Sequence, residues 1–501
     1  MTQVHRMPLR RAPLAGAVIL LLPRLLSAAT ITVNDPGEAS VPGKCTVVDA
    51  VAALNTALPM NSCAAGNGSN DTIDFSFFAG PTTISFGVLP ANGVSALALT
   101  KPARLSAPLD VSGNPMVTLS RSTVSGTPAF RLISTTADLS IDGLTITGGS
   151  SPDNGGGVFA DLYANLTIAN SVVSNNYAAT SGGGVTIDCG NLTVVHSRIS
   201  GNSANKSGGG IYGADDQYHS GTTTCAGGHL TLDHSTLSGN TAITGGGGGA
   251  YLFKGYLSAT RSTIDSNTAM GEGGGFAVFG TSMLVLSTLS GNVSQSYGGG
   301  ASVQFTFKTF GSSIINNSGG HGGGVHAKYT GGNNSTFTGN IAGSGGAIEG
   351  SNVFLDFSTI TANTAGTGAG INLSGGIPTS NSQFISTIIR GNLIGEDLHG
   401  NSAVSAILGN NSIIGSHSLP VPADTLDCDA KLGPLADNGG PTLTIALGAG
   451  SCAIDAGPAT PGVTFDQRGP PFSRKFGVAS DIGAFEVQNI SDRIFYDGFE
   501  G

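Results

Sequence analysis

The chain has 501 residues, 79 of them glycine, only 10% charged, and a formal net charge of −10 from 21 basic and 31 acidic side chains. So little charge argues against intrinsic disorder, which needs low hydrophobicity together with high net charge. The glycines keep no Gly-X-Y period, which excludes collagen. An acidic balance lacks the basic footprint that phosphate backbones require, so nucleic acid is not an expected partner.

The first residues read as an export signal. Arg6, Arg10 and Arg11 form a positive stretch, Leu14 to Leu22 an apolar stretch too short to span a bilayer, and Ser27-Ala28-Ala29 a small-residue cleavage site. The expected domain plan is a signal peptide over 1–29, an N-terminal cap over 30–70, repeats over 71–430, a C-terminal segment over 431–488 and a short tail over 489–501. No apolar run of spanning length follows the signal, so the expectation is an exported protein without a membrane-spanning segment.

In the cap, Thr46 and Asp49 form a capping-box pattern, and Val47, Val51, Leu54 and Leu58 share one helical stripe that Pro59 ends. The six cysteines fall into three local pairs, Cys45 with Cys63, Cys189 with Cys225 and Cys428 with Cys452. Neighbour pairing suits an oxidising compartment, although six cysteines allow about 15 connectivities.

From Asp71 short strands begin, and between 166 and 392 one pattern returns: Ser, any residue, an aliphatic or Phe, two of any, Asn. Its asparagines are Asn176, Asn202, Asn240, Asn267, Asn292, Asn317, Asn340 and Asn363, at intervals of 26, 38, 27, 25, 25, 23 and 23. A glycine cluster follows each, opening at Gly182, Gly208, Gly245, Gly273, Gly298, Gly322, Gly345 and Gly368, and then a short β-branched or aromatic run. Each unit buries about six aliphatic side chains at ~1.5–3 kcal/mol apiece. Ordering its roughly 25 residues costs ~1–2 kcal/mol each, so a lone unit does not fold and the units must stack. The expected fold is all-β: a single-stranded, right-handed parallel β-helix of about 12–14 coils with a short N-terminal capping helix. Equivalent asparagines ~4.8 Å apart can then bond as a ladder, a structural role.

The pairing of the glycine cluster with Phe337-Thr338-Gly339-Asn340 resembles the repeats of polymorphic outer-membrane proteins. The stretch from Leu432 through Asp437-Asn438-Gly439-Gly440-Pro441, Asp466-Gln467-Arg468-Gly469 and Asp481 to Glu486 is similar to the choice-of-anchor Q segment of secreted bacterial β-helix proteins. Cys45 to Val51 more loosely resembles the CSLREA segment that opens such proteins, with Val48-Asp49 where that motif has Arg-Glu. These resemblances imply a secreted or surface β-helix of bacterial origin, of adhesin or matrix type, and no particular reaction. The terminal 493–501 resembles a Phe-x-Asp-Gly-Phe-Glu signature of exported bacterial proteins, with a sorting role or simple packing on the last coil as its two readings.

Two functional expectations remain beside each other. In the first the protein is not an enzyme and presents a binding flank to a polysaccharide or cell-surface glycan, with Tyr212, Tyr218 and Tyr251 as stacking residues. In the second it cleaves polysaccharide, with Asp215, Asp216 and His229 near the one long loop as acid, base and partner. An ice-binding face of threonines is a third, weaker fit, because the Ser and Thr positions are irregular. Other shaft carboxylates, Glu272 and Glu349 among them, are scattered singly, and His321 and His326 read as isolated corner or surface residues. Asp466, Arg468, Asp481 and Glu486 are read as an ion-pair network, with a bound cation as the alternative. No metal site and no cofactor are expected.

Overall fold

The computed structural model describes residues 28–488 apart from 69, 89–92, 162, 215–226, 375–380, 401–405 and 460–461. The export signal, Cys225 and the terminal tail therefore lie outside the described residues, apart from Ala28 and Ala29.

One coil shows how the repeat folds. Val185–Asp188 forms the first face, Leu192–Val195 the second and Arg198–Ser200 the third, followed by a two-residue corner strand, Ser203–Ala204. Val185, Ile187, Leu192, Val194, Ile199 and Ala204 point inward and are buried, which are the six aliphatic residues a coil needs. The next coil pairs parallel and in register, Leu192 on Leu230 and Ile199 on Leu237. Among the described residues thirteen strands stack on the third face. The first and second faces form a single sheet because two strands, Ala301–Phe310 and Val325–Asn333, run through both without a turn.

Glycine marks the corner that opens each first-face strand from Val158–Ala160 to Ile371–Leu373. Gly273 takes φ +67°, and a Cβ there would stand 2.2 Å from the Phe276 carbonyl oxygen. On Gly274 it would meet the Gly299 carbonyl oxygen at 2.3 Å, so the coils approach too closely for any side chain. In the five-glycine run 245–249 the corner residue is Gly247, at φ 66°, and not Gly245 as the cluster's start suggests.

The asparagine ladder forms as the spacing requires, with every polar atom used. Asn292 accepts at Oδ1 from the N–H and the Nδ2 of Asn267, both at 3.0 Å. Its own Nδ2 donates to the Ile264 carbonyl and to Asn317 Oδ1, both at 2.9 Å. The same bonds join Asn176 through Asn363, all essentially without solvent contact. The ladder runs one rung further than the repeat pattern, because Asn363 donates to Asn392 Oδ1 at 2.9 Å and Asn392 to Asp397 Oδ1 at 2.8 Å.

The repeat's serines build a second ladder at the preceding corner. Ser262 N donates to Ser287 Oγ and Ser287 N to Ser312 Oγ, both at 3.1 Å, while Ser287 Oγ donates to the Val285 carbonyl at 2.8 Å. Thr387 and Ser412 take over these positions later in the shaft. Residues just before the serines adopt positive φ whatever their type, including His234, Arg261 and Phe357. The ladder bonds hold them in a conformation that disfavours bulky side chains.

The cap helix spans Val47–Thr56, with Thr46 as its N-cap accepting from Asp49 N. It lies against Thr30–Thr32, Asp71–Asp74 and Ser95–Leu99 at the open end of the shaft, and the Cys45–Cys63 disulfide ties it there. The expected stripe is shorter at its C-terminal end. Ala57 turns left-handed at φ 55°, so Leu58 leaves the helix and is 62% exposed, whereas Val47, Val51 and Leu54 are buried. Cys428 pairs with Cys452, and Cys189 is also disulfide-bonded.

The C-terminal segment returns along the outside of the third face. Gln467 Nε2 donates to Ser313 Oγ at 3.0 Å while its Oε1 accepts from Thr336 Oγ1 at 2.6 Å. Further on, Ala484 N donates to Thr359 Oγ1 at 3.0 Å and Gly483 N to the Ser386 carbonyl at 2.8 Å. The strands Ser313–Ile315, Thr336–Thr338 and Thr359–Thr361 are consequently buried on both sides, whereas Thr236–Ser238 buries only Leu237.

Asn292→Ala strands the buried Asn267 N–H, and the expected loss is about 3 kcal/mol of unfolding free energy. Asn292→Asp sets an oxygen against the Ile264 carbonyl and should cost more than alanine. Urea denaturation followed by circular dichroism measures both, and equal or negligible losses would contradict the ladder's energetic role.

Candidate functional site

Because the coils stack in register, side chains at one repeat position form a column along the shaft. The outward position of the first face is the fourth residue after the left-handed glycine. Successive coils there carry Phe159, Thr186, Tyr212, Tyr251, Ala277, Ser302, His326, Glu349 and Asn372. A parallel column occupies the residue just before that glycine. There Tyr297 bridges to His321 and His321 to Ser344, one coil above the next.

The two columns divide the face into an aromatic stretch and a polar one. Tyr212 stacks on Tyr251 at 5.9 Å with 18° between the planes, and Phe279 lies 5.7 Å from both Tyr251 and Phe253. Burial, aided by the Glu272 carboxylate, pushes the Tyr251 phenol up to about 12, so it stays a donor at any physiological pH. The polar stretch begins at a groove of about 360 Å³ whose walls include Glu272, Tyr297, Gln304, His326 and Lys328.

Hydrogen bonds fix ionisable groups in the groove and beside it. Ser302 Oγ donates to Glu272 Oε2 at 2.9 Å. The nearly buried Glu349 accepts from Ser344 Oγ at Oε2 and from Ser374 Oγ at Oε1, 3.0 Å away, while His321 Nδ1 lies 3.2 Å from Oε2. Ser344 Oγ lies 3.0 Å from the same Nδ1, so Glu349 and Ser344 together orient His321, whose ring stacks on Tyr297 at 5.1 Å, and Tyr297 also lies 4.7 Å from His326. Burial holds the His326 imidazole below its ordinary value, with Glu349 opposing the shift, so it is neutral at pH 7. Along the two columns the cluster therefore offers carboxylates, an imidazole held by Glu349 and Ser344, and a neutral imidazole.

This departs from the expectation that Glu272, Glu349, His321 and His326 are unrelated. Their intervals in the chain look irregular because two columns are interleaved; numbering from the left-handed glycine reveals both. Of the tyrosines expected to bind sugar, Tyr212 and Tyr251 share the aromatic stretch, and Tyr218 lies outside the described residues. Asp215 and Asp216 also lie outside them. His229 is exposed before the Leu230–Asp233 strand, its ring edge-on to Tyr256 at 6.4 Å.

The C-terminal carboxylates are taken up by protein partners. Arg468 bonds Asp466 at 2.7 Å between the rings of Phe472 and Phe485, and the fully buried Arg474 meets Glu486 at 3.0 Å. Asp481 accepts from the Asp455 and Val487 N–H groups, both at 2.8 Å. Among the described residues no group of three or more His, Cys, Asp or Glu is arranged to hold a metal ion.

Residues 109–293 match the family model described as a right handed beta helix region. The chain is a right-handed parallel β-helix. The crystal structure of pectate lyase Pel9A is similar at 14% identity and a TM-score of 0.38, over 92% of this chain and 97% of that one. No curated protein matches the sequence.

The C-terminal clasp should respond to pH. Burial and the neighbouring Asp481 carboxylate push Glu486 up to about 7 from its ordinary 4.5, against the pull of Arg474. Burial raises Asp481 too. Across that window the folded chain keeps protons that the unfolded chain releases, so stability falls as pH rises and changes little from Glu486 below it. Hydrogen exchange of 432–488 should therefore quicken from the acid to the alkaline side of the window, and Glu486→Gln should flatten the trend. Exchange that slows with rising pH, after correction for its intrinsic rate, would reverse the assigned sign.

Proposed function

We propose that the protein is an exported β-helix that holds a glycan chain along its first face, in an adhesin-like or matrix role. The observation that carries this reading is the in-register stack of Tyr212 on Tyr251, continued beside the column by Phe279, which with Glu272 and His326 lines the groove. Sugar rings offer an apolar face to aromatic side chains and hydroxyls to carboxylates, amides and imidazoles. A column repeating at about 4.8 Å suits a polymer better than a compact ligand. The signal-like N-terminus, the disulfides and the choice-of-anchor Q-like terminal stretch support export and a bacterial cell surface as the working place. Among the described residues no helix is long and apolar enough to cross a membrane.

A second reading, cleavage of the glycan, is favoured by one feature beside the groove. Glu349 and Ser344 both engage His321 at Nδ1, so proton exchange with a substrate would fall to Nε2, and the neutral His326 lies across the Tyr297 ring. This pairing differs from the Asp215, Asp216 and His229 set expected from the chain order.

Affinity electrophoresis of the mature protein through gels containing plant, algal or bacterial polysaccharides tests the first reading. Retardation should appear with at least one polymer, and Tyr251→Ala should weaken it about tenfold, the worth of one stacking contact. Release of new reducing ends, measured with and without Ca²⁺, tests the second. Release abolished by Glu349→Gln would establish cleavage at this groove, and release abolished only by Asp215→Asn with Asp216→Asn would move it to the long loop. Absence of both retardation and release would overturn the glycan assignment.

A further inference from the structure

We infer that a second glycan-binding groove lies on the second face around Gly331, and that one polymer chain crosses the corner to occupy both grooves. This rests on the glycan reading of the first face. Elsewhere in the shaft a turn separates the two faces, as between Val185–Asp188 and Leu192–Val195. In Ala301–Phe310 and Val325–Asn333 a bulge between Val303 and Thr306 replaces that turn, so the surface passes from one face to the other along continuous strands. Phe305 stands on this passage, 48% exposed, and Lys328 Nζ lies 5.4 Å from the Tyr329 ring beside it.

The second groove encloses about 420 Å³. Its floor is a column in which Lys308, Gly331, Phe354 and Gln383 follow one another in register, and Asp356 and Tyr329 stand at its sides. Gly331 leaves a notch between Lys308 and Phe354, and the Phe354 ring that walls it is 42% exposed. The backbone does not require this glycine: its φ is ordinary, and an added Cβ would meet nothing nearer than the Phe354 carbonyl oxygen at 3.5 Å. Its neighbour Gly332 differs, with φ +146° and a Cβ position 1.8 Å from the Thr309 carbonyl oxygen. The notch is thus an available space beside an exposed ring, bordered by an amide, a carboxyl and an ammonium group, which is the chemistry a sugar ring takes.

The geometry also sets the size of the ligand. His326 and Gly331 are five residues apart along one strand that turns the corner at a bulge, a backbone path of about 16 Å. A ligand reaching both must be an oligomer, and over this stretch it runs across the shaft axis instead of along it.

Isothermal titration of short and long members of xylan, β-glucan and polyuronate oligosaccharide ladders tests the inference. For the wild-type protein the long members should bind about tenfold tighter than the short ones, the worth of one further ring contact. Gly331→Leu fills the notch and should remove that gain while leaving short members bound as in the wild type, with thermal unfolding unchanged. Phe354→Ala should reduce the gain in the same way. Long members bound equally by wild type and both variants would overturn the second groove. Binding of short members that depends on Tyr251, without any gain in length, would overturn it while leaving the first-face reading intact. Failure of every ladder member to bind the wild-type protein would remove both.

Discussion

Parallel stacking in register is the constraint on which everything else in this molecule depends. It sets each side chain above the same position of the neighbouring coil, at about the strand spacing of 4.8 Å. Inside, that rule admits only residues that tolerate their own kind. Aliphatic side chains do so by packing, and asparagine does so because its amide carries both a donor and an acceptor. Aspartate at the same site would face another carboxylate, which explains why the one acid in line, Asp397, occurs at the end of the ladder as an acceptor only. Serine works at the preceding corner for the same reason, with one hydroxyl that can both give and receive.

Outside, the rule acts in reverse. Solvent relieves outward positions of the need for self-complementarity, so whatever appears there is not dictated by stacking. Most outward sites of the third face hold Ser or Thr, as in Thr236 and Ser238 or Thr288 and Ser290, but Arg198 and Asp265 interrupt any regular threonine array. The first face departs furthest from this background. Four consecutive coils carry Glu272, Tyr297, His321 with His326, and Glu349 in two columns; Ser344 joins His321 to Glu349, while Ser302 and Ser374 hold Glu272 and Glu349. Stability of the stack requires none of them, which makes their assembly on one face a matter of surface chemistry.

The repeated units were legible in the chain because their signals are local. The ladder asparagines, the inward aliphatic residues and the Thr46–Asp49 cap each follow from spacing within a single coil or turn. Legibility stopped where the deciding contact is remote or the reference point is ambiguous. Leu58 fits the helical stripe, yet Ala57 has already turned left-handed, so periodicity alone overshoots the end. In 245–249 five glycines hide which one turns the corner, and Gly247 is identified only by stacking on its neighbours. Glu349 and His326 look unrelated until both are counted from their own corner glycine. Nothing near Gln467 in sequence announces that it will insert between Ser313 and Thr336, since that contact joins residues far apart in the chain.

That remote contact also bears on which face is left for function. The C-terminal segment covers the third face over the coils containing Ser313, Thr336 and Thr359, and its buried Arg474 reaches Asn334 and lies 5.0 Å from the Phe357 ring. These same coils carry the polar groove on the first face and the long strands that remove its corner. Covering one flank stiffens a stretch whose usual turn is missing, and it leaves the other two faces open to solvent. A rigid floor preserves the spacing between groups such as His326 and Gly331, so a polymer bound as proposed would find its contacts already placed and less of the binding energy would go to ordering the protein. The C-terminal segment thus has a mechanical part to play in the shaft.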